Sequence, residues 1–325
     1  MTRNKNIQAK STTKKSFPFL TITSRCFPCQ MRSLFDEISP VLPKETIEIL
    51  QNVGMAHFLR IPSYKANVPI ISAVLSRWDE AVGGFKIGHH VIPFNPEVIS
   101  SLIGMPNYGT SFNWVTTYPN LTIVIRDIKE ALKYTVTSTC RDPQQIASLI
   151  IKFILVALFF PKNNYSVHPA LIECAENFHL VSSINWCKSI YDFLHPFLLP
   201  LSQKLRTQKK STPRSSAGYI DGFCLLIMFA FLENINIKTP AYPDEVPKIF
   251  RWSSYLFWYI DEAKNSIRSI EVGEMHTHYN QDNLHQYLGN SIRPSVQELN
   301  LTKREEVTDE FQFKKKGLYV SFRTY

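Results

Sequence analysis

The sequence predicts a mainly α-helical, multi-helix globular domain with one short strand or hairpin around residues 85–93. Apolar residues make up 44% and aromatic residues 13% of the 325 residues, which is enough for a sizeable core. Apolar residues also recur at helical spacing over most of the chain. The two longest apolar runs fall short of the roughly 20 residues that a membrane-spanning helix needs. They therefore indicate helices that are buried on most sides.

Proline and glycine mark the first elements. A helix is predicted over residues 31–38, and a second begins after Pro43 and ends at Gly54. A third helix is predicted over residues 68–78. These signals are local, so they set the boundaries without reference to the rest of the fold.

The segment 85–109 predicts a strand, a capped helix and an abrupt stop. Its β-prone residues end at Pro93. Asn95 suits the N-cap and Pro96 the first helical position. Gly104 suits the C-cap. The segment carries no catalytic signature, so we expect it to be a structural corner.

The middle of the chain predicts four further helices. They cover residues 121–134, 146–160, 167–180 and 184–199. The first is amphipathic, with its charged side chains on one face. Pro161 ends the second helix, and Pro196 should kink or end the fourth.

The remaining chain predicts a linker, two helices and two weakly ordered ends. A basic linker covers residues 203–217, and helices follow at 219–232 and 255–267. The predicted organisation is a disordered basic tail over 1–24, a helical domain over 25–290 that contains the linker, and a charged, weakly structured segment over 291–325.

Positive charge is concentrated in the tail and the linker. The formal net charge is +9, and seven basic residues but no acidic residue precede Asp36. The linker holds five cations and no acid. Such segments can contact phosphates or an import receptor. Solvated, flexible chain is the alternative for both, and an organellar transit peptide is a third interpretation of the tail. The candidate basic contact residues are Lys14, Lys15, Lys204, Arg206, Lys209, Lys210 and Arg214.

Cys26 and Cys29 form a C-x-x-C motif that has three interpretations. The pair is coincidental, or it is half of a zinc site, or it is redox active. A zinc site would need partners such as His276, His278 and His285. A redox site would need a strand-to-helix frame, which a preceding disordered tail does not supply. We expect reduced thiols in an intracellular compartment.

No motif predicts a cofactor or a catalytic site. The sequence lacks G-x-x-x-x-G-K-[ST] and G-x-G-x-x-G, and its 11 glycines are few for phosphate-binding loops. No lysine has a recognisable Schiff-base context. We therefore expect neither an enzyme nor a bound cofactor.

Six short segments occur in an order that is typical of one family. They are SRCFP at 24–28, VGMAHFL at 53–59, the corner at 85–109, INWC at 184–187, AGYIDGF at 217–223 and VPKIFRW at 246–252. Together they resemble the plant mobile domain, also called aminotransferase-like. The similarity is greatest to the transposon-derived type that can precede a ubiquitin-like-protease domain.

This resemblance implies a largely helical domain that occurs in transposons and in domesticated nuclear proteins. The expected function is that of a non-enzymatic, transposon-derived interaction module in the nucleus. It would contact nuclear proteins or nucleic acid through its basic segments, and no membrane. The alternative is a fragment or degenerate relative of a ubiquitin-like cysteine protease that lacks its catalytic domain. An organelle is the alternative location.

Overall fold

The computed structural model of the protein describes residues 21–26, 28–64, 66–207, 216–234 and 240–252, and these residues form a mainly α-helical fold. The prediction of a mainly α-helical fold is confirmed. The α-helices of this part of the chain are α1 (Pro28–Ile38), α2 (Lys44–Asn52), α3 (Val68–Leu75), α4 (Pro96–Ile103), α5 (Ile125–Thr137), α6 (Pro143–Ile154), α7 (Pro169–Cys174), α8 (Phe178–Ser183), α9 (Trp186–Thr207) and α10 (Leu225–Asn234). A π-helical segment, Leu155–Phe159, extends α6, and a 3-10 helix covers Lys248–Arg251.

Five short strands form two small sheets in the described residues. They are β1 (Thr21–Ser24), β2 (Trp78–Asp79), β3 (Gly84–Ile87), β4 (His90–Pro93) and β5 (Ser216–Ile220). β3 and β4 form the predicted hairpin, and β2 adds an antiparallel strand at its edge. β1 and β5 pair in parallel to make a second sheet. The sequence predicts a single strand or hairpin element, whereas the described residues form two small sheets.

The β1–β5 sheet corrects two predicted boundaries. Residues 21–24 belong to β1 and not to the disordered tail that the sequence predicts over 1–24. Residues 219 and 220 end β5, where the sequence predicts the start of a helix. Ile22 and Ile220 are both buried, so the two strands bury their apolar side chains in the core together. The helix begins only at Leu225, the first residue of α10.

The core is centred on α10, which is apolar on all sides. Every residue from Leu225 to Leu232 is buried, as expected for an internal helix. α10 packs against α3 and α4. α6 is also almost fully buried, in agreement with the prediction for residues 146–160. None of the described helices has both the length and the apolar character that crossing a membrane requires.

Two predicted helices differ from the structure. The helix predicted over 167–180 is split into α7 and α8, because Asn177 caps a new helix by accepting a hydrogen bond from the Leu180 amide at 3.0 Å. The helix predicted to kink or end at Pro196 continues as α9 to Thr207. Asp192 and Pro196 lie on the exposed face of α9. The carbonyls left without a donor can therefore bind water.

The corner predicted over 85–109 is confirmed. Asn95 caps α4 by accepting a hydrogen bond from the Val98 amide at 2.9 Å, and Pro96 is the first helical residue. Gly104 ends α4 in the left-handed conformation, with φ of 70°. The end of α4 contacts the 3-10 helix at 248–251. Two of the six family-like segments therefore pack against each other.

A buried carboxylate fastens the last described segment to α10. Glu233 accepts a hydrogen bond from Trp252 Nε1 at 2.8 Å. The Arg251 guanidinium lies 3.4 Å and the Lys248 ammonium 3.7 Å from the same carboxylate. Only 9% of the Glu233 side chain is exposed. One acidic side chain thus holds three side chains of residues 248–252. The helix predicted at 255–267, the domain end at 290 and the segment 291–325 lie outside the described residues.

Candidate nucleic-acid interface

The structure describes two of the seven predicted basic contact residues. Lys204 and Arg206 lie in the last turn of α9, where positive side chains favourably face the negative end of the helix dipole. The other five lie outside the described residues, namely Lys14, Lys15, Lys209, Lys210 and Arg214. The linker predicted over 203–217 is corrected at both ends. Its first five residues are helical because Leu201 and Leu205 continue the apolar face of α9, and its last two belong to β5.

Lys204 and Arg206 differ in whether their charged groups are hydrogen-bonded to the rest of the fold. The Lys204 side chain is exposed. Arg206 donates a hydrogen bond from Nε to the Ser76 carbonyl at 2.5 Å and another from its guanidinium to the Trp78 carbonyl. Arg206 therefore anchors the end of α9 to the chain between α3 and β2. The position of its guanidinium is set by these contacts with the fold.

The β1–β5 sheet places the points where the two basic segments enter their strands side by side. Thr21, the first residue of β1, pairs with Ser216, the first residue of β5. The Ser216 hydroxyl also donates a hydrogen bond to the Thr21 carbonyl at 3.1 Å. Neighbouring strands in a sheet lie about 4.8 Å apart. Because β1 and β5 run in the same direction, the chain before Thr21 and the chain before Ser216 join the fold side by side.

The two segments that join the fold at this junction carry the excess positive charge of the protein. Residues 1–20 and 203–217 each contain five cations and no acid, which leaves 26 cations and 27 carboxylates in the rest of the chain. The rest of the protein is thus almost neutral. We call the ten cations of these two segments the basic edge. In residues 1–20 they are Arg3, Lys5, Lys10, Lys14 and Lys15, and in residues 203–217 they are Lys204, Arg206, Lys209, Lys210 and Arg214.

The C-x-x-C motif lies in a different setting from the one expected. It connects β1 to α1, so it does occupy a strand-to-helix junction. However, burial raises the pKa of the Cys26 thiol well above its ordinary value, and the nearby Cys224 thiol raises it further. Burial also raises the pKa of Cys224 to about 11, although its thiol donates a hydrogen bond to Ser24 Oγ at 3.0 Å. Thiols in such a setting are poor nucleophiles near neutral pH.

We predict that iodoacetamide will not modify Cys26 or Cys224 in the folded protein at neutral pH. Both side chains are fully buried and protonated, whereas Cys140 is exposed and should react at once. Mass spectrometry of the labelled peptides measures the rates, with urea-unfolded protein as the reference. A Cys140→Ser variant serves as the control for labelling at the surface. Rapid modification of Cys26 in the folded state would support a redox site instead.

The histidines that a zinc site would need cannot be placed in this structure. His276, His278 and His285 lie outside the described residues. Within the described ranges, no group of three or more His, Cys, Asp or Glu side chains is close enough to hold a metal ion. The buried His57 has its pKa lowered to about 4 by burial, and its Nε2 lies 2.9 Å from the Ile103 carbonyl. That histidine is therefore a neutral packing residue.

Sequence reasoning found the two charged segments but not their convergence. The β-branched residues of β1 were the available signal, because Thr21, Ile22 and Thr23 favour a strand. Nothing local identifies β5 as the partner, which lies almost 200 residues away in sequence. Long-range parallel pairing cannot be read from one sequence when both strands are short.

The comparison with protein families gives one match. The model of a family described as a domain of unknown function (DUF8566) matches residues 24–228, which is more than half of the chain. No curated protein and no solved structure is significantly similar to the chain. The matched range begins at the last residue of β1, includes β5 and ends within α10. The protein therefore belongs to the DUF8566 family.

Proposed function

We propose that the protein is a non-enzymatic interaction module that contacts nucleic acid through the basic edge. The observation that carries this proposal is the pairing of Thr21 with Ser216, which joins the two acid-free basic segments to the fold at adjacent points. A duplex or a folded RNA offers an array of many phosphates. Ten cations in two segments that join the fold at adjacent points, in an otherwise nearly neutral chain, favour such a partner over a small anion.

The physical basis of this contact is the release of counterions from the phosphates. Each phosphate that a lysine or arginine neutralises contributes about 0.9 to the slope of log K against log salt concentration for duplex DNA. Residues 203–217 contain no aromatic side chain that could stack on bases. Contact through this segment would therefore depend on the backbone of the nucleic acid and not on its sequence.

The proposal includes a nuclear location and a transposon origin of the plant mobile domain type. It rests on the six ordered segments and on the basic composition of residues 1–20. Raised pKa values at four buried cysteines agree with a non-enzymatic role, because a cysteine protease needs a thiolate. A fluorescent fusion of the full chain should accumulate in nuclei. Exclusion from nuclei would contradict the location but not the nucleic-acid contact.

Replacing three cations of the basic edge should weaken DNA binding and flatten its salt dependence. The variant combines Lys209→Gln, Lys210→Gln and Arg214→Gln. We expect its slope of log K against log salt to decrease by about 0.9 for each cation removed. Fluorescence anisotropy of a labelled duplex, measured between about 50 and 200 mM salt, gives the slope.

The matched control removes the same charge elsewhere. Lys44, Lys86 and Lys188 are exposed lysines outside the basic edge, and a triple Lys→Gln variant at these positions should keep the slope of the unmodified protein. If both triple variants change the slope equally, only the net charge matters and the basic edge is not the contact surface. If the unmodified protein binds no duplex at low salt, the contact with nucleic acid is rejected and protein partners remain.

A further inference from the structure

A second basic feature lies away from the basic edge, in a cavity at the start of α5. The cavity has a volume of about 220 Å³ and is lined by four cationic side chains from three separate parts of the chain. Arg25 follows β1, Arg126 and Lys129 lie in the first two turns of α5, and Lys162 follows the π-helical segment. Among the described residues, no acidic side chain lines the cavity. All charged side chains in the described lining of the cavity are therefore positive.

The floor of the cavity is apolar. Its apolar lining comes from α1, from α6 with its π-helical extension, and from the chain before α7. These side chains include Met31, Phe153, Val156 and Val167, all of which are buried. Gln30 and Ser166 add neutral polar groups at the wall. A ligand that matches this lining has an apolar body and an anionic group.

Arg25 carries an unused hydrogen-bond donor at this site. Its Nε is buried and has no hydrogen-bond partner among the described residues. Burying a charged donor without an acceptor is unfavourable, because the lost hydration is not replaced. The Arg25 guanidinium carbon lies 4.7 Å from the centre of the Tyr165 ring. This cation–π contact holds the guanidinium at the cavity wall.

Tyr165 is held in an unusual backbone conformation beside Arg25. Its φ is 59°, in the left-handed region that residues other than glycine rarely adopt. The Tyr165 amide donates a hydrogen bond to the Lys162 carbonyl at 3.1 Å, which closes a tight turn. That turn presents Lys162 and Tyr165 to the same cavity. Backbone strain of this kind is concentrated at ligand sites in proteins.

Nearby carboxylates do not cancel the positive charge of the cavity. Glu130 lies 3.8 Å from Arg126, but both side chains are at least 70% exposed, so the pair is weak. Asp127 accepts a hydrogen bond from the Val124 amide at 3.0 Å and thereby caps α5. The amino end of α5 adds its own positive potential to that of the four side chains. The net field favours an anion with more than one charge.

We propose that this cavity binds an organic phosphate monoester. The phosphate would contact Arg25, Arg126, Lys129 and Lys162, and the apolar part of the ligand would lie on the floor. A phosphate monoester carries about 1.5 to 2 negative charges at pH 7 and has three strong acceptor oxygens. These oxygens can accept from several of the four cations at once. The two basic-edge residues that the structure describes, Lys204 and Arg206, do not line the cavity, so this proposal is tested separately from the contact with nucleic acid.

Isothermal titration calorimetry of the full chain tests the site with three probes. These are phenyl phosphate, inorganic phosphate and phenol. We expect one phenyl phosphate per chain, with at least about tenfold lower affinity for each of the other two probes, which corresponds to about 1.4 kcal/mol. Equal affinity for phenyl phosphate and inorganic phosphate would overturn the claim that the ligand has an organic part bound by the cavity floor. No heat of binding with millimolar phenyl phosphate would overturn the site.

Variants assign the binding to the cavity. Arg25→Gln and Lys129→Gln should each weaken phenyl phosphate binding by about tenfold or more, because each removes a charge-assisted hydrogen bond. Lys129 is half-buried on a surface helix, so its variant tests the site even if Arg25→Gln does not fold. Lys44→Gln is the matched control and should bind normally, as should the triple variant of Lys209, Lys210 and Arg214. Unchanged affinity in Lys129→Gln, or loss in the triple variant, would contradict the assignment.

Discussion

Replacing Gly104 by alanine should destabilise the protein by about 2–4 kcal/mol. Gly104 has φ of 70°, a conformation that costs a residue with a Cβ about 1–2 kcal/mol. A Cβ at this position would also lie 2.9 Å from Pro247 Cβ and closer still to Pro247 Cγ. The end of α4 and the segment around Pro247 would have to separate. Urea unfolding followed by circular dichroism measures the loss in free energy of unfolding.

Gly54 provides the matched control for Gly104. It also follows a helix and has φ of 73°, but a Cβ there would meet no atom within 4 Å. Gly54→Ala should therefore carry only the backbone cost of about 1–2 kcal/mol. The difference between the two variants isolates the contact with Pro247. Equal losses would show that the corner at 85–109 is not packed against residues 246–252 as described.

Replacing Glu233 by alanine should cost about 3–5 kcal/mol, the range for removing one partner of a buried ion pair. The variant leaves the Trp252 indole and the Lys248 and Arg251 cations without their shared acceptor. These cations have only 26% and 16% of their side chains exposed, so water replaces the carboxylate poorly. Urea unfolding gives the loss in stability, and amide hydrogen exchange should increase at residues 248–252.

Two further variants define what Glu233 contributes. Glu233→Gln keeps an oxygen that can accept from Trp252 but removes the charge, so we expect a smaller loss than for alanine. Glu48→Ala removes the acidic partner of Lys44 in an exposed pair and should cost no more than about 1 kcal/mol. If Glu233→Ala costs as little as Glu48→Ala, the buried carboxylate does not hold residues 248–252 to α10.

The elements that sequence predicted correctly have signals within a few residues. Asn95, Pro96 and Gly104 define α4 because a cap, a first-turn proline and a left-handed stop act locally. The course of α9 past Pro196 was not predictable in this way. Whether proline interrupts a helix there depends on which face reaches water, and tertiary packing decides that.

The candidate interface was predictable in composition but not in arrangement. The charge of residues 1–20 and 203–217 is visible in the sequence, and so is the charged face of α5 that carries Arg126 and Lys129. Their neighbours in space are not visible. β1 meets β5 across almost 200 residues, and Arg25 and Lys162 join α5 from different parts of the chain. Such sites depend on long-range packing, which cannot be predicted from a single sequence.

The stoichiometry of binding to a short DNA duplex tests the central claim most directly. If residues 1–20 and 203–217 act as one surface, each chain binds one duplex. Two variants, Lys14→Gln with Lys15→Gln and the triple variant of Lys209, Lys210 and Arg214, should then each lower the salt slope by about 0.9 per cation removed. The stoichiometry should stay at one in both. A shared basic edge would be contradicted if each chain bound two duplexes. Either variant would then lose one duplex, and the duplex that remains bound would keep its salt slope.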